Sequence, residues 1–252
     1  MNQTLGVIPA RMSSSRFPNK PLEKILGIPM LAHCYERALL SQVCDHLVVA
    51  TPDQEIINWA NEYKVPVLLT SHDHERATER VAEVIDILET EGQFFQNILL
   101  LQGDEPQIHP DDVIKLHEAF HGNKFNVVNL VYPIEGDDLS DPNVVKVIIS
   151  NSNSITFLTR SHVPHDSKKG IRQLGMIGFT NEALKTYIKL KMTPLEILES
   201  IDMMRFLEND ISIQGVFASS QIIGVDKPSD IQKAEKMMKG DVFLEQYQKK
   251  YL

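Results

Sequence analysis

Ile8-Pro9-Ala10-Arg11-Met12-Ser13-Ser14-Ser15-Arg16-Phe17-Pro18-Asn19-Lys20-Pro21-Leu22 is the stretch on which the reading of the fold turns. It continues from Leu5-Gly6-Val7-Ile8, a short apolar run of strand length. Arg11, Arg16 and Lys20 bring three cations into it, and Ser13, Ser14 and Ser15 stand between the first two. Small residues let backbone N–H groups face an anion while cations neutralise it. A loop at the C-terminal end of a buried strand is also where open α/β sheets bind ligands. The stretch has neither the Gly-x-x-x-x-Gly-Lys-Ser/Thr of a Walker loop nor the Gly-x-Gly-x-x-Gly of a dinucleotide site. A merely solvated basic loop is the competing reading, and composition alone does not separate the two.

Working outward, apolar runs recur at Leu47–Ala50, Val65–Leu69, Ile98–Leu101 and Val127–Val131. Helical spacing fills the gaps at Met30–Leu40, Gln54–Tyr63, Thr78–Thr90 and Pro110–His121. Apolar strands alternating with helices imply βαβ units around a buried, mostly parallel sheet, a doubly wound α/β fold. Pro66 marks an outer strand. After Val131 the pattern changes: Asn143–Ile149 and Ser154–Thr159 read as strands without an intervening helix. Helices are predicted again at Glu182–Lys189, Pro194–Glu208 and Pro228–Met238, with a strand at Ile211–Phe217. The expectation is one domain over residues 1–252, with a small antiparallel lobe inserted at about 132–178.

The 252 residues carry 25 Lys+Arg against 34 Asp+Glu, a net charge of −9. That sign argues against a nucleic-acid coat or an anionic-membrane binder, so any anionic ligand must meet locally concentrated cations. Cys34 and Cys44 form no Cys-x-x-Cys pair and read as reduced thiols. No basic-then-apolar leader and no membrane-length apolar run is found, which predicts a soluble, cytoplasmic protein.

Two acidic positions follow apolar runs. Gln102-Gly103-Asp104-Glu105-Pro106 comes after one, and Gly224-Val225-Asp226-Lys227-Pro228 after another. Carboxylates so placed can hold Mg²⁺, with phosphates completing its shell. A turn at Asp104 and a helix cap at Asp226 are the plainer alternatives. The polar run His72–Glu75 and the pair His162 and His165 lack zinc spacing and read as exposed loop. Met203-Met204 and Met237-Met238 read as core, and Glu79, Glu83 and Asp86 as a solvated helix face.

Taken in order, these segments resemble the cytidylyltransferases that make CMP-activated sugar acids, above all the CMP-Kdo synthetase family. The likeness runs over nearly the whole chain. It is carried by Ile8–Leu22, Gln102–Pro106, Asp141–Val147, Arg160, the group Pro194, Leu195, Glu196, Glu199 and Arg205, and Gly224–Pro228. The resemblance implies an Mg²⁺-dependent enzyme that transfers CMP from CTP to the anomeric hydroxyl of Kdo, a 3-deoxy-2-ulosonic acid. Pyrophosphate leaves, and the product serves lipopolysaccharide or capsule synthesis. It implies that Arg11, Arg16 and Lys20 neutralise the triphosphate, and that Ala10, Ser13 and Gln102 lie at the nucleotide. Asp104 and Asp226 would ligate the metal, with Arg11 and Lys20 completing the catalytic set. Arg76, Thr78, Arg80, Gln102, Arg160, Gln173 and Glu199 would face the sugar acid, and two chains would pair as a homodimer through the lobe.

The chain departs from that family at the acceptor end. His-x-Ser-Gly-Thr-Asp/Glu-Arg reads His74-Glu75-Arg76-Ala77-Thr78-Glu79-Arg80, so Ser-Gly has become Arg76-Ala77. His-x-Gly-Ile-Tyr reads Gln173-Leu174-Gly175-Met176-Ile177, losing an imidazole and a phenol. A site built on such polar groups discriminates strongly, so a modified Kdo (for example 8-amino-Kdo) or another ulosonic acid is a second expectation. A non-catalytic nucleotide-binding protein is the third. Asn19 stands where Gly is common, and Asn tolerates a left-handed backbone.

Overall fold

The computed structural model describes residues 3–13, 17–120 and 124–252. Ser14, Ser15, Arg16 and His121 therefore lie outside the described residues.

The chain begins with β1 (Thr4–Pro9), then β2 (Lys24–Ile25), β3 (Ile28–Pro29), α1 (Met30–Leu40), β4 (His46–Thr51) and α2 (Gln54–Glu62). It continues through β5 (Val67–Leu69), α3 (Ala77–Thr90), β6 (Asn97–Leu100), α4 (Pro110–Glu118) and β7 (Val127–Glu135). Next come β8 (Lys146–Ile149), β9 (Ser154–Thr159), β10 (Lys169–Thr180), α5 (Asn181–Lys189), α6 (Pro194–Glu199) and α7 (Met204–Leu207). The described chain ends with β11 (Ile213–Phe217), α8 (Pro228–Met238) and α9 (Leu244–Tyr247).

Nine strands form one sheet in the order β5-β4-β1-β6-β10-β7-β11-β9-β8. Strands β5, β4, β1 and β6 pair in parallel, as does β11 with β7. Pro66 does precede an edge strand, β5, where its missing N–H costs no ladder bond. Residues alternate between faces along each strand. Leu5, Val7, Ile98 and Leu100 pack with Val81, Val84 and Ile85 of α3 and Leu184 of α5. Ile8, Val49, Leu99 and Leu101 pack with Leu31 of α1, Trp59 of α2 and Leu116 of α4. Both faces are thus covered, so the strands read as nearly continuous apolar runs.

Strand β10 is the element the sequence hides. It lies between β6 and β7, antiparallel to both. Gly170, Gly175 and Gly178, together with Arg172 and Gln173, break any apolar run there. Only its first part belongs with the lobe; Ile177–Thr180 complete the central sheet against β6. The lobe's β8 and β9 also extend the same sheet through β11, so it is an outgrowth of the sheet rather than a detached unit.

The single helix expected over Pro194–Glu208 is two. Ser200 takes a left-handed conformation (φ 53°) and ends α6, and α7 starts at Met204. Asp226 does not cap α8: Lys227 is the N-cap, and the Asp230 carboxylate accepts from the backbone N–H groups of Asp226 and Lys227. Met203, Met204 and Met238 are core as expected, while Met237 is exposed. Glu83 is not simply solvated, since it accepts from Ser71 N–H and pairs with His74. Both thiols are free, Cys34 fully buried.

Candidate active site

A cleft of about 930 Å³ opens over the C-terminal ends of β1 and β6. Its described lining includes Ala10, Arg11, Ser13 and Lys20 from the loop after β1, and Gln102, Gly103 and Asp104 from the loop after β6. Arg76, Ala77 and Arg80 reach it from the start of α3, and Asp202 and Asp226 from two later segments.

The loop after β1 is fastened where it matters. Ala10 N–H donates to Ala50 O at 2.9 Å, and Met12 N–H to the Asp53 carboxylate at 2.7 Å. Asn19 adopts φ 62°, the left-handed turn expected of it, and a 3-10 turn follows over Lys20–Leu22. This turn aims Lys20 across the cleft, with Nζ 2.6 Å from Asp104 Oδ2. Gly103 is required by a close approach: a Cβ there would lie 2.9 Å from Pro9 O. Val225 N–H donates to Asp104 O at 2.9 Å, tying the Asp226 segment to the Asp104 loop.

The carboxylates of Asp104 and Asp226, in one cleft with Arg11 and Lys20, have the oxygen chemistry that suits a hard divalent cation such as Mg²⁺. That ion binds through one or two carboxylates plus phosphate and water oxygens rather than an all-protein cage. Among the described residues no group of three or more His, Cys, Asp or Glu is placed to hold a metal ion.

Glu105 turns away from the cleft and is fully buried. Its Oε1 accepts from Gly175 N–H at 2.9 Å, inside a bulge of β10 between Gln173 and Ile177. Burial, then the neighbouring Asp104 charge, pushes its carboxyl up to about 7. Asn129, also buried, donates to Leu174 O and Met176 O and accepts from Gln173 Nε2 at 2.6 Å. The bulge is thus held from two sides. A Cβ on Gly175 would sit 2.1 Å from Gln102 Cγ, so glycine there is what lets Gln102 lie across the bulge.

Arg80 is buried and donates to Thr70 Oγ1 and Ser71 O. Burial, then the charge of Arg11, lowers its pKa. Arg76 donates through Nη1 to Ser200 Oγ at 3.1 Å. Thr78 donates to Asp202 at 2.7 Å, supporting the cleft from behind.

Of the residues expected at the site, Ala10, Arg11, Ser13, Lys20, Arg76, Arg80, Gln102, Asp104 and Asp226 come together in the cleft. Arg160, Gln173, Glu199 and Thr78 are not in its lining. Arg160 spends Nε on Glu199 O, Nη1 on Pro142 O and Nη2 on Ser200 O. The Glu199 carboxylate receives Thr159 Oγ1 and Arg160 N–H, so it fixes the lobe's base. His74, Glu75 and Asp202 line the cleft and were not expected there. Asp202 is obscured in the sequence because Pro194–Glu208 reads as one helix, and only the break at Ser200 turns it inward.

A sheet-top cleft lined by Arg11, Lys20, Asp104 and Asp226 is the kind of site that a nucleotidyltransferase requires. The same fold occurs in a Bacillus anthracis chain described as a glucose-1-phosphate thymidylyltransferase, at a TM-score of 0.71 and 16% identity over 93% of this chain and 94% of that one. The family model for cytidylyltransferases matches residues 5–213, and the chain belongs to that family. The 3-deoxy-manno-octulosonate cytidylyltransferase of Thermodesulfovibrio yellowstonii is 34% identical over 249 residues, 93% of this chain and 98% of the relative. A solved CMP:2-keto-3-deoxy-manno-octonic acid synthetase complexed with CTP superposes at a TM-score of 0.88 with 29% identity, covering 96% of this chain and all of that one. No helix among the described residues is long and apolar enough to cross a membrane.

Proposed function

We propose that the cleft transfers CMP from CTP to the anomeric hydroxyl of a 3-deoxy-2-ulosonic acid, Kdo in the first instance, for lipopolysaccharide or capsule synthesis. The observation that carries this reading is the meeting of Arg11, Lys20, Asp104 and Asp226 in one cavity of a cytidylyltransferase. The hydroxyl oxygen forms a bond to the α-phosphorus, the bond from that phosphorus to the β-phosphate oxygen breaks, and pyrophosphate leaves. The hydroxyl proton passes to solvent. No side-chain nucleophile is needed, because positioning and charge neutralisation supply the rate.

In this reading Arg11, Arg16 and Lys20 bind the triphosphate, Ala10 and Ser13 border the nucleotide, and Gln102 orients the acceptor. Asp104 and Asp226 would hold Mg²⁺, which would supply charge neutralisation at the α-phosphate and a lowered pKa for the attacking hydroxyl. Lys20 holds Asp104 in place before substrate arrives. A homodimer formed through the lobe and a cytoplasmic location belong to the same proposal.

The test is pyrophosphate release from CTP with Kdo and Mg²⁺. Release that stops with chelator and returns with Mg²⁺ is the expected result; none with any 2-keto sugar acid would end the reading. A second reading, transfer to a modified Kdo or another ulosonic acid, is motivated by Arg76 in the cleft and by Gln173 being engaged with Asn129, although an added cation does not favour the ammonium of 8-amino-Kdo. A panel of sugar acids separates the two, and Kdo turned over as well as or better than the rest rejects the second.

A further inference from the structure

The acceptor in the proposed reaction is a carboxylate, yet the cation that the family pattern offers it is spent. Each of the three guanidinium nitrogens of Arg160 donates to a backbone carbonyl, and the residue lies outside the cleft lining. Lys20 is paired with Asp104, and Arg80 is tied to Thr70 and Ser71. At the end of the cleft formed by the start of α3 and the turn after α6, the other charged lining residues are acidic: Glu75 and Asp202. A sugar acid brought there would meet repulsion unless a cation intervenes.

Arg76 is the cation that the start of α3 places at this end of the lining. Nη1 donates to Ser200 Oγ at 3.1 Å. Nε is shielded from solvent and has no hydrogen-bond partner among the described residues. A guanidinium that lines a cleft can meet the two oxygens of one carboxylate with paired N–H groups. Where the family pattern has Ser-Gly, this chain has Arg76-Ala77, so the arm is a property of this chain.

We infer that Arg76 is a specificity-determining residue whose guanidinium meets the acceptor's own carboxylate, in place of Arg160. The inference rests on the cytidylyl-transfer reading and names the group through which that acceptor is recognised. Arg160 becomes a positioning residue that holds the lobe's base against the turn after α6.

The experiment measures pyrophosphate release with CTP and Kdo, and with the C1 amide of Kdo, for the unmodified enzyme, Arg76→Ser, Arg76→Lys and Ser200→Ala. Arg76→Ser raises the KM for Kdo about 10- to 100-fold, the range for a lost charged hydrogen bond, while the KM for CTP stays within about twofold. The amide, which lacks the charge, is a poor acceptor for the unmodified enzyme, but Arg76→Ser handles amide and acid alike. Arg76→Lys recovers part of the loss. Ser200→Ala removes only the anchor and moves the KM for Kdo by less than about threefold. Equal discrimination against the amide with and without Arg76 overturns the inference. So does a rise in the KM for CTP instead, which would assign Arg76 to a phosphate, or a Ser200→Ala effect as large as that of Arg76→Ser. No release by the unmodified enzyme with either acceptor overturns the transfer to Kdo itself, and the inference with it.

Discussion

Lys20 Nζ donates to Asp104 Oδ2 at 2.6 Å, joining the loop after β1 to the loop after β6 across the floor of the cleft. The residues are eighty-four positions apart in the chain, and the sheet order that sets β6 beside β1 brings them together. Lys20 is the more enclosed partner, at 13% side-chain exposure against 34% for Asp104. Asp104 thereby keeps a solvent-facing edge toward the cleft while its other edge is held.

Removing either partner has different consequences. Asp104→Ala is expected to lower turnover by at least about 10³-fold, since it removes a charge-bearing group at the reacting phosphate. Lys20→Ala is expected to cost about 10²-fold and to raise the KM for CTP, because phosphate binding is lost as well. Steady-state kinetics at fixed Mg²⁺ checks both. An Asp104→Ala rate equal to that of the unmodified enzyme removes Asp104 from the site.

Gly175→Ala should disable the enzyme without touching a charged residue. The added Cβ would lie 2.1 Å from Gln102 Cγ and 3.0 Å from Glu105 Oε1. Gln102 must swing out of the cleft or the bulge must shift, at a cost of about 1–3 kcal/mol. The expected outcome is a KM for the sugar acid raised more than the KM for CTP, with a lowered thermal midpoint.

Asn129→Ala should destabilise the fold by about 2–4 kcal/mol, because buried carbonyls lose their donor. Asn129 Nδ2 serves Leu130 O, Leu174 O and Met176 O, and its Oδ1 receives Gln173 Nε2. Urea unfolding followed by circular dichroism reads this directly. A change under about 0.5 kcal/mol would mean that the bulge is held without it.

Acid should loosen the C-terminal segment. His33 Nε2 faces Ile25 O at 2.9 Å, so that nitrogen carries the proton and Nδ1 accepts from Tyr247 OH at 2.8 Å. Burial, assisted by the Arg37 charge, lowers the imidazole from 6.5 to about 4. The unfolded chain therefore binds a proton that the folded chain refuses between those values. The stabilisation is complete above pH 6.5 and is lost as the pH falls toward 4, by at most about 3 kcal/mol. Urea midpoints at pH 7.5 and 4.5 should differ more for the unmodified protein than for His33→Gln.

Much of the fold is legible in local pattern. Leu5–Ile8, Leu47–Ala50 and Ile98–Leu101 sit in parallel strands covered on both faces, so their apolar runs are unbroken and easily read. Strand β10 is not, because its identity depends on Asn129 and Glu105, residues far away in sequence that satisfy its bulged backbone. The helix boundary at Ser200 is likewise invisible, since nothing in Glu199-Ser200-Ile201 marks a left-handed turn.

By itself the sequence determined the alternation of strands and helices, the basic loop after β1, and the carboxylates at Asp104 and Asp226. Those depend on residue type and near spacing. Only the tertiary structure decided which charges share the cleft. It spent Arg160 on backbone carbonyls, turned Asp202 inward and set Arg76 in the cleft lining. The reason is physical: a side chain's chemistry is fixed by its type, but its availability depends on which donors and acceptors the fold has already paired.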